Sequence, residues 1–188
     1  MQDGNVKKLF EDNVAIIGSR MCSEYGRKIA FKTAKELSNM NINTVSGMAV
    51  GIDTYAHLGS LSGKEGKTIA VLANGLAIHD IYPNENVKLF ERIIENGGAV
   101  VSEYPLGTKP EKMSFPARNR IISGVSSGII VIEAKEKSGT LITVDFALEQ
   151  GKEVFAVPGN ICSKTSKGTN MLIMEGSNIF TETQDLLI

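Results

Sequence analysis

The sequence predicts an α/β fold built on a doubly wound, mostly parallel sheet with helices on both faces. Short β-branched apolar runs alternate along the chain with longer segments in which apolar residues recur at helical spacing. Strands that are apolar throughout are typical of a parallel sheet covered by helices on both sides. The 188 residues suit one domain, and no linker, repeat or low-complexity tract divides them.

Strand and helix signals alternate in order after a polar N-terminal tail over residues 1–13, so the domain is predicted to span residues 14–188. Strands are predicted over residues 13–19, 42–47, 67–75, 99–105, 128–134 and 153–159. Helices are predicted over residues 23–40, 51–64, 84–98 and 140–152. In the first helix Tyr25, Ile29, Ala34 and Leu37 recur at helical spacing and are expected to face the core.

Residues 104–117 are predicted to form an irregular loop, because three prolines within them oppose regular helix and strand. A loop of this length in a compact domain is usually functional. The segment ARNRIISG, from residue 117, then begins a helix.

Composition excludes several classes of function. The net charge of −1 gives no global attraction to nucleic acid or membrane, so any polyanion site must be a local concentration of cations. Cys22 and Cys162 lack the spacing of zinc or redox sites, and His57 and His79 do not pair as metal ligands, so no metal is expected. The polar N-terminus lacks the apolar stretch of a signal peptide, and a reduced cytoplasmic protein is expected.

The loops that follow the predicted strands are rich in glycine and small hydroxyl residues. Ligands of open α/β sheets bind beyond the carboxyl ends of the strands, where glycine permits close approach and helix N-termini donate N–H groups to phosphates. Tight turns alone could explain any one of these loops, but several at one sheet edge favour an anion cradle. Its predicted members are Gly18, Ser19, Arg20, Ser46, Gly47, Ser138, Gly139 and Thr140.

Two familiar nucleotide motifs are absent. Gly18 does not begin the G-x-G-x-x-G fingerprint of dinucleotide sites, and no G-x-x-x-x-G-K-[ST] motif occurs. A nicotinamide or ATP enzyme is therefore not expected, and no cofactor is predicted.

The stretch between Tyr104 and Gly124 forms a basic patch in an otherwise balanced chain. Aromatic rings on which bases can stack interleave its cations. Its members are Tyr104, Lys109, Lys112, Phe115, Arg118, Asn119 and Arg120, against Glu111 alone. A phosphate cradle, cations and a stacking ring together favour single-stranded nucleic acid over a mononucleotide.

Other roles remain open for some of these side chains. Phe115 could instead be a buried staple at the start of the following helix. Arg118 or Arg120 could form structural ion pairs with Glu133 or Asp53. Because residues two apart on a helix do not share a face, the two arginines are expected to do different jobs, one facing DNA and one bracing a loop.

Eight segments, in order, resemble the DNA-processing protein A family (DprA, also called Smf). They are VAIIGSR (14–20), SGMAVGID (46–53) with its following Ala-His, YPNEN (82–86), SEYPLG (102–107), FPARNRIISG (115–124), EAKEKSGTLIT (133–143), VFAVPG (154–159) and GTNMLIMEGS (168–177). The resemblance implies an extended Rossmann-like fold that binds single-stranded DNA, protects incoming DNA and helps load the RecA recombinase in natural transformation (competence) or recombination. It implies no enzyme activity, a DNA pocket that includes Arg20, Lys112, Phe115 and the cluster around Arg118 and Arg120, and a homodimer formed through the C-terminal part of the fold.

Family members commonly carry a small helical domain before this fold and often a winged-helix domain after it. Here only a short tail precedes Val14 and the sequence stops at Ile188. A short family member and an excised core both fit, and the functions of those flanking domains are not carried over to this chain.

Two rivals remain from other classes. A nucleoside-monophosphate phosphoribohydrolase of the lysine decarboxylase-like family has a similar fold and a P-G-G-x-G-T-x-x-E motif. The corresponding stretch here is KEKSGTLIT, with Thr143 where that family's glutamate would stand, so the developing sugar cation lacks its stabilising carboxylate. A carrier of a nucleotide-like cofactor would explain the glycine loops but not the basic patch.

Overall fold

The computed structural model describes residues 2–4 and 12–187, which form one eight-stranded sheet with helices on both faces. The strands are β1 (Gln2–Gly4), β2 (Asn13–Ile17), β3 (Asn43–Ser46), β4 (Thr68–Leu72), β5 (Ala99–Ser102), β6 (Gly128–Val131), β7 (Glu153–Ala156) and β8 (Asn178–Ile179). Their spatial order is β1-β5-β4-β3-β2-β6-β7-β8. All neighbours pair in parallel except β1, which is antiparallel to β5.

The helices alternate with the strands, as the sequence pattern predicts. They are α1 (Glu24–Asn39), α2 (Ile52–Leu61), α3 (Val87–Glu95), α4 (Ser114–Gly124), α5 (Gly139–Glu149) and α6 (Lys167–Met174). Short 3₁₀ turns occupy Ile78–Asp80, Asn84–Asn86 and Thr183–Leu187. The predicted fold class, a doubly wound, mostly parallel α/β sheet, is confirmed.

Alternate residues of each strand supply the cores on the two faces of the sheet. On one face Ile16 and Ile130 pack with Ala34 and Leu37 of α1, and this layer continues through α2 and α3. On the other face Ile17 and other residues of the central strands pack against α4, α5 and α6. Because both faces are covered, the central strands are apolar throughout, which made them easy to predict.

The chain reverses its winding direction between β2 and β6. From β2 the connections run through β3 and β4 to β5, and the chain then returns to β6 on the other side of β2. At the carboxyl ends of these two strands, the loop after β2 therefore leads to α1 on one face of the sheet, and the loop after β6 leads to α5 on the other face. Doubly wound folds bind ligands at such a switch point.

Two local predictions are wrong. Helix α4 begins at Ser114 rather than at Ala117, because Pro116 lies in the first helical turn, where no N–H donor is needed. Tyr25 does not face the core, since it is 51% exposed near the start of α1. In addition, Gln2–Gly4 of the predicted N-terminal tail pair with β5, while residues 5–11 of that tail lie outside the described residues.

None of the helices in the described part of the chain is long and apolar enough to cross a membrane.

Candidate functional site

A cleft of about 600 Å³, here called the main cleft, opens at the switch point between β2 and β6. Its walls come from the loops after β2 and β6, from the N-terminal half of α4 and from the start of α5. Ten residues that the sequence predicted for the site line it: Gly18, Ser19, Arg20, Lys112, Phe115, Arg118, Asn119, Ser138, Gly139 and Thr140.

The loop after β2 is held tightly against its neighbours. The N–H of Ser19 donates to the Glu133 carbonyl at 2.8 Å, which ties this loop to the one after β6. A Cβ on Gly18 would lie 2.7 Å from the Ile52 side chain, so glycine is needed for this close approach. The loop therefore carries Arg20 to the rim of the main cleft on a fixed backbone.

Arg20 and Phe115 form the wall between the main cleft and a smaller pocket. The guanidinium of Arg20 lies 5.0 Å from the centroid of the Phe115 ring, within range of a cation–π interaction. On another side Phe115 contacts the Tyr82 ring, with centroids 5.9 Å apart and planes inclined by 59°. Phe115 is half-buried and lines both cavities, so its ring is partly open to a ligand.

The smaller pocket, here called the side pocket, has a volume of about 380 Å³. Gly47, another predicted site residue, lines this pocket rather than the main cleft, beside Val50, Asn74 and Tyr82. Arg20, Ala49, Phe115 and Arg118 border both cavities.

Arg118 is buried beneath the cleft and is 5% exposed. Its Nη1 donates to the Gly47 carbonyl at 2.7 Å and also to the Val71 carbonyl. Burial lowers the pKa of Arg118 to about 10, and the charge of Asp53 opposes that shift, so the guanidinium stays protonated near neutral pH. Arg118 thus acts mainly as a brace between α4, the end of β4 and the loop after β3.

Asp53, at the start of α2, holds the same loop from the other side. Its Oδ2 accepts hydrogen bonds from the N–H groups of Gly47 at 3.1 Å and Ala49 at 3.3 Å. Burial raises the pKa of Asp53 above its usual range, while Arg118 and these amides oppose the rise. A Cβ on Gly47 would lie 2.6 Å from the Arg118 guanidinium, so only glycine leaves room for the brace.

Arg120 and Ser46 lie outside both cavities. Arg120 pairs with Glu103 at 2.5 Å, with both side chains about half exposed. Ser46 is fully buried, and its hydroxyl donates to the Ile16 carbonyl at 2.7 Å, supporting the sheet. The two arginines lie in different environments, as expected, but only the bracing role of the two expected roles is seen here. Arg118 braces the cleft, and Arg120 pairs at the surface.

The N-terminus of α5 points into the main cleft. Ser138 caps the helix, its Oγ accepting from the Thr140 N–H at 3.2 Å. An added Cβ on Gly139 would meet no atom within 4 Å, so the backbone there is open to a ligand. In the first turn the N–H groups of Thr140 and Leu141 donate to Ser138, so among the described residues the Gly139 N–H and the positive end of the helix dipole are what favour an anion.

Sequence reasoning missed Lys135 and Lys137, which also line the main cleft. Glu136 stands between them, so the segment looked neutral when charge was counted along the chain. Their place after the central strand β6 was the signal that could have found them. Among the described residues that line the main cleft, five side chains are cationic and only Asp53 is acidic.

The described residues contain no group of three or more histidine, cysteine, aspartate or glutamate side chains arranged to hold a metal ion.

Comparisons with known proteins identify relatives of this chain. The chain is 47% identical over 184 residues to the DNA processing protein DprA of Streptococcus pneumoniae, covering 98% of this chain and 64% of the relative. It is 42% identical to the protein Smf of Escherichia coli, covering 98% of this chain and 49% of that protein. The chain thus spans less than two thirds of the length of these curated relatives.

Solved structures show the same relationship. The structure of DprA from S. pneumoniae superposes with a TM-score of 0.91 at 45% identity, over 99% of this chain and 64% of that one. A structure of DNA processing protein A from Helicobacter pylori, which concerns its single-stranded DNA binding mode, superposes with a TM-score of 0.88 at 31% identity, over 99% and 83%. A molybdenum cofactor binding protein from Rippkaea orientalis, with a TM-score of 0.60 at 18% identity, shares the fold alone.

A family model described as DNA recombination-mediator protein A matches residues 1–188. With this match and relatives above 40% identity, the chain belongs to the DprA/Smf family of DNA-processing proteins.

Proposed function

We propose that this chain binds single-stranded DNA in the main cleft, without cleaving it. The observation that carries this proposal is the excess of cations in a cleft that also holds a partly open aromatic ring and a helix N-terminus. Cations and helix N–H groups bind the phosphates of any sequence, and an aromatic ring stacks on any base. A single strand offers both groups at once, because its bases are not paired.

The roles of the side chains differ in this proposal. Arg20, Lys112, Lys135 and Lys137 contact phosphates, together with the N-terminus of α5 and the hydroxyls of Ser138 and Thr140. Phe115 stacks on a base, while Gly18, Ser19, Gly139 and Asn119 shape the wall. Arg118 acts as a positioning residue, and Arg120 and Ser46 are left out of the contact set because of their partners.

Relatives support the same ligand. The structure of the H. pylori protein concerns single-stranded DNA binding, and its fold matches this chain over 99% of its length. We also propose that the chain protects incoming DNA and helps to load RecA recombinase onto the bound strand. A RecA filament assembly assay on oligonucleotides coated with this chain tests that finer role.

A homodimer through the C-terminal part of the fold is also part of the proposal. Met174, at the end of α6, and Ile179, in β8, expose 88% and 53% of their surface. β8 lies at the edge of the sheet, where side chains and unpaired backbone groups can meet a second copy. Burial of these side chains against their counterparts would stabilise a dimer.

Hydrolysis of a nucleotide is the less supported alternative. Asp53, the acidic residue noted above, accepts hydrogen bonds from two backbone amides and faces Arg118. Glu133 does not line the main cleft, and its carboxylate accepts from Ser23 and Thr165. Incubation with AMP tests this alternative, and release of free adenine would contradict the proposal of a binding protein.

The test of DNA binding is the affinity for labelled oligothymidylate, measured between about 50 and about 200 mM salt, where counterion release predicts a steep loss. Arg20→Ala and Lys112→Ala should weaken binding to all sequences and each lower the salt slope by about 1. Phe115→Ala should cost about 1–3 kcal/mol of binding with the salt slope unchanged. Lys64→Ala is the matched control, since Lys64 is exposed in the turn between α2 and β4, at the opposite edge of the sheet.

An affinity that does not change with salt, or that none of the three substitutions lowers, contradicts the proposal. Thermal unfolding of Phe115→Ala distinguishes a ring that stacks on a base from a ring that holds the fold together. A large fall in the melting temperature would identify Phe115 as a buried staple.

A further inference from the structure

A second opening lies beside the main cleft, on its β7 side. This opening, here called the hydroxyl cleft, has a volume of about 500 Å³ and is bordered by the start of α1 and by the loop after β7. Tyr25, Glu133, Gly159 and Asn160 are among its lining residues, together with serine hydroxyls. None of the side chains that line it is cationic among the described residues.

Two loops connect the main cleft to the hydroxyl cleft. In the loop after β2, Met21 lines the main cleft and Ser23 lines the hydroxyl cleft. In the loop after β6, Lys135 lines the main cleft and Glu133 the hydroxyl cleft. Two residues of chain span at most about 7 Å, so a strand that leaves the main cleft across either loop enters the hydroxyl cleft directly.

The charges of the two clefts differ in a way that selects different parts of a nucleotide. At the start of α5 the backbone of Gly139 is open to the main cleft. The start of α1 is instead occupied by the Glu133 carboxylate, which accepts from the Ser23 N–H at 2.8 Å and from the Ser23 hydroxyl at 2.5 Å. Glu133 is 3% exposed and would repel a phosphate entering beside it. A neutral group with hydrogen-bonding edges is therefore favoured there.

Tyr25 and Asn160 offer the contacts that a nucleobase needs. Tyr25 exposes 51% of its surface at the cleft. It lies in the first turn of α1, which Ser23 caps. Asn160 fixes its side-chain oxygen by accepting from the Cys162 N–H at 2.8 Å, and its amide nitrogen has no hydrogen-bond partner in the described part of the chain. The ring can stack on a base, and the amide can donate to a base carbonyl.

We propose that the hydroxyl cleft is a second subsite for single-stranded DNA, in which Tyr25 stacks on a base and Asn160 donates to it, while the phosphates remain in the main cleft. This inference rests on the proposed function of the main cleft. It extends the path of the strand along the carboxyl edge of the sheet, from α4 and α5 past β6 to the loop after β7.

The experiment compares oligothymidylates of about 4 and about 16 nucleotides, lengths that bracket the site sizes of single-strand-binding folds. Tyr25→Ala should lower the affinity for the longer strand by about fivefold to 150-fold, which is the range for one lost stacking contact. The affinity for the shorter strand should not change. Tyr25→Phe keeps the ring and should bind both strands as the parent does. Tyr25 is exposed, so neither variant threatens folding.

Asn160 is tested by a substitution that keeps its cap. Asn160→Asp retains the oxygen that accepts from Cys162 but removes the donor, and it should also weaken the longer strand selectively. Asn96→Asp controls for the added negative charge, since Asn96 is exposed at the end of α3, on the opposite edge of the sheet. Photocrosslinking of a long strand that carries 5-iodouracil should mark peptides containing Tyr25 or the loop after β7.

The outcomes separate this inference from the proposed function. If Tyr25→Ala and Asn160→Asp bind the longer strand like the parent, or if crosslinks map to the main cleft alone, the second subsite is wrong while DNA binding stands. If Tyr25→Ala changes the solution mass without changing DNA affinity, the hydroxyl cleft is covered by a second copy and the inference is overturned. If neither strand binds the parent, the proposed function itself fails.

Discussion

Two arginines two residues apart on one helix have opposite environments in this chain. Arg118 is buried and donates to two backbone carbonyls, whereas Arg120 pairs with Glu103 in solvent. The sequence could predict that they differ, because residues two apart on a helix face different directions. It could not predict which one is buried, because that depends on contacts with β4 and with the loop after β3, which are distant in sequence.

We expect Arg118→Ala to lower the free energy of unfolding by about 3–5 kcal/mol, because it leaves Asp53 and two carbonyls buried without their partner. Arg120→Ala is the matched control and should cost about 0–1 kcal/mol, the value of an exposed ion pair. Urea denaturation of both variants measures the difference. Equal losses for the two variants would show that Arg118 is not a brace.

At the scale of elements, the carboxyl ends of β2 and β6 determine which loops meet. The apolar strands made the parallel sheet predictable, and the sheet in turn brought ten of the thirteen predicted site residues to one cleft. The sequence pattern failed where local signals were weak or ambiguous. β1 is the polar tripeptide Gln-Asp-Gly, and Pro116 looked like a helix breaker although the first turn accepts it.

The loop between β6 and α5 should contribute more to DNA binding than its neutral composition indicates. Lys135→Ala and Lys137→Ala should each weaken binding at low salt, and each should reduce the slope of log affinity against log salt by about 1. Lys64→Ala should leave both quantities unchanged. A slope that stays at the parental value in the double variant would place these lysines outside the strand's path.

At the scale of the whole molecule, the end of the sheet that carries β8 has two exposed apolar side chains, Met174 and Ile179. For the proposed homodimer, Met174→Lys and Ile179→Lys should shift the solution mass from dimer toward monomer, because a charged side chain at an edge opposes pairing with another chain. Leu148→Lys is the matched control, since Leu148 is 58% exposed on α5 and belongs neither to α6 nor to β8. Light scattering across a range of concentrations distinguishes the outcomes, and an unchanged mass would reject this surface.

His57, buried between α2 and the sheet, couples the stability of the whole fold to pH. Thr68 donates to the Thr44 carbonyl, so its hydroxyl accepts from the Nδ1–H of His57 at 2.6 Å, and His57 is neutral. Its Nε2 has no hydrogen-bond partner in the described part of the chain. Burial, and then the charge of Arg118, lower the pKa of His57 to about 3.

Because this pKa is lower in the folded state, the unfolded chain binds a proton that the folded chain does not bind between about pH 6.5 and about pH 3. The free energy of unfolding should therefore fall as the pH is lowered through that window, by up to about 1.4 kcal/mol per pH unit from His57 alone. The raised pKa of Asp53 acts in the opposite direction, so the contribution of His57 has to be isolated by comparison.

The variant His57→Asn provides that comparison, because it keeps a donor near the Nδ1 position but does not titrate. Urea denaturation between about pH 4 and about pH 8 should show a weaker loss of stability on acidification than in the parent protein. The two profiles should run parallel above about pH 7, where the histidine is neutral in both states. Parallel profiles over the entire range would mean that His57 takes up its proton equally in the folded and unfolded chains.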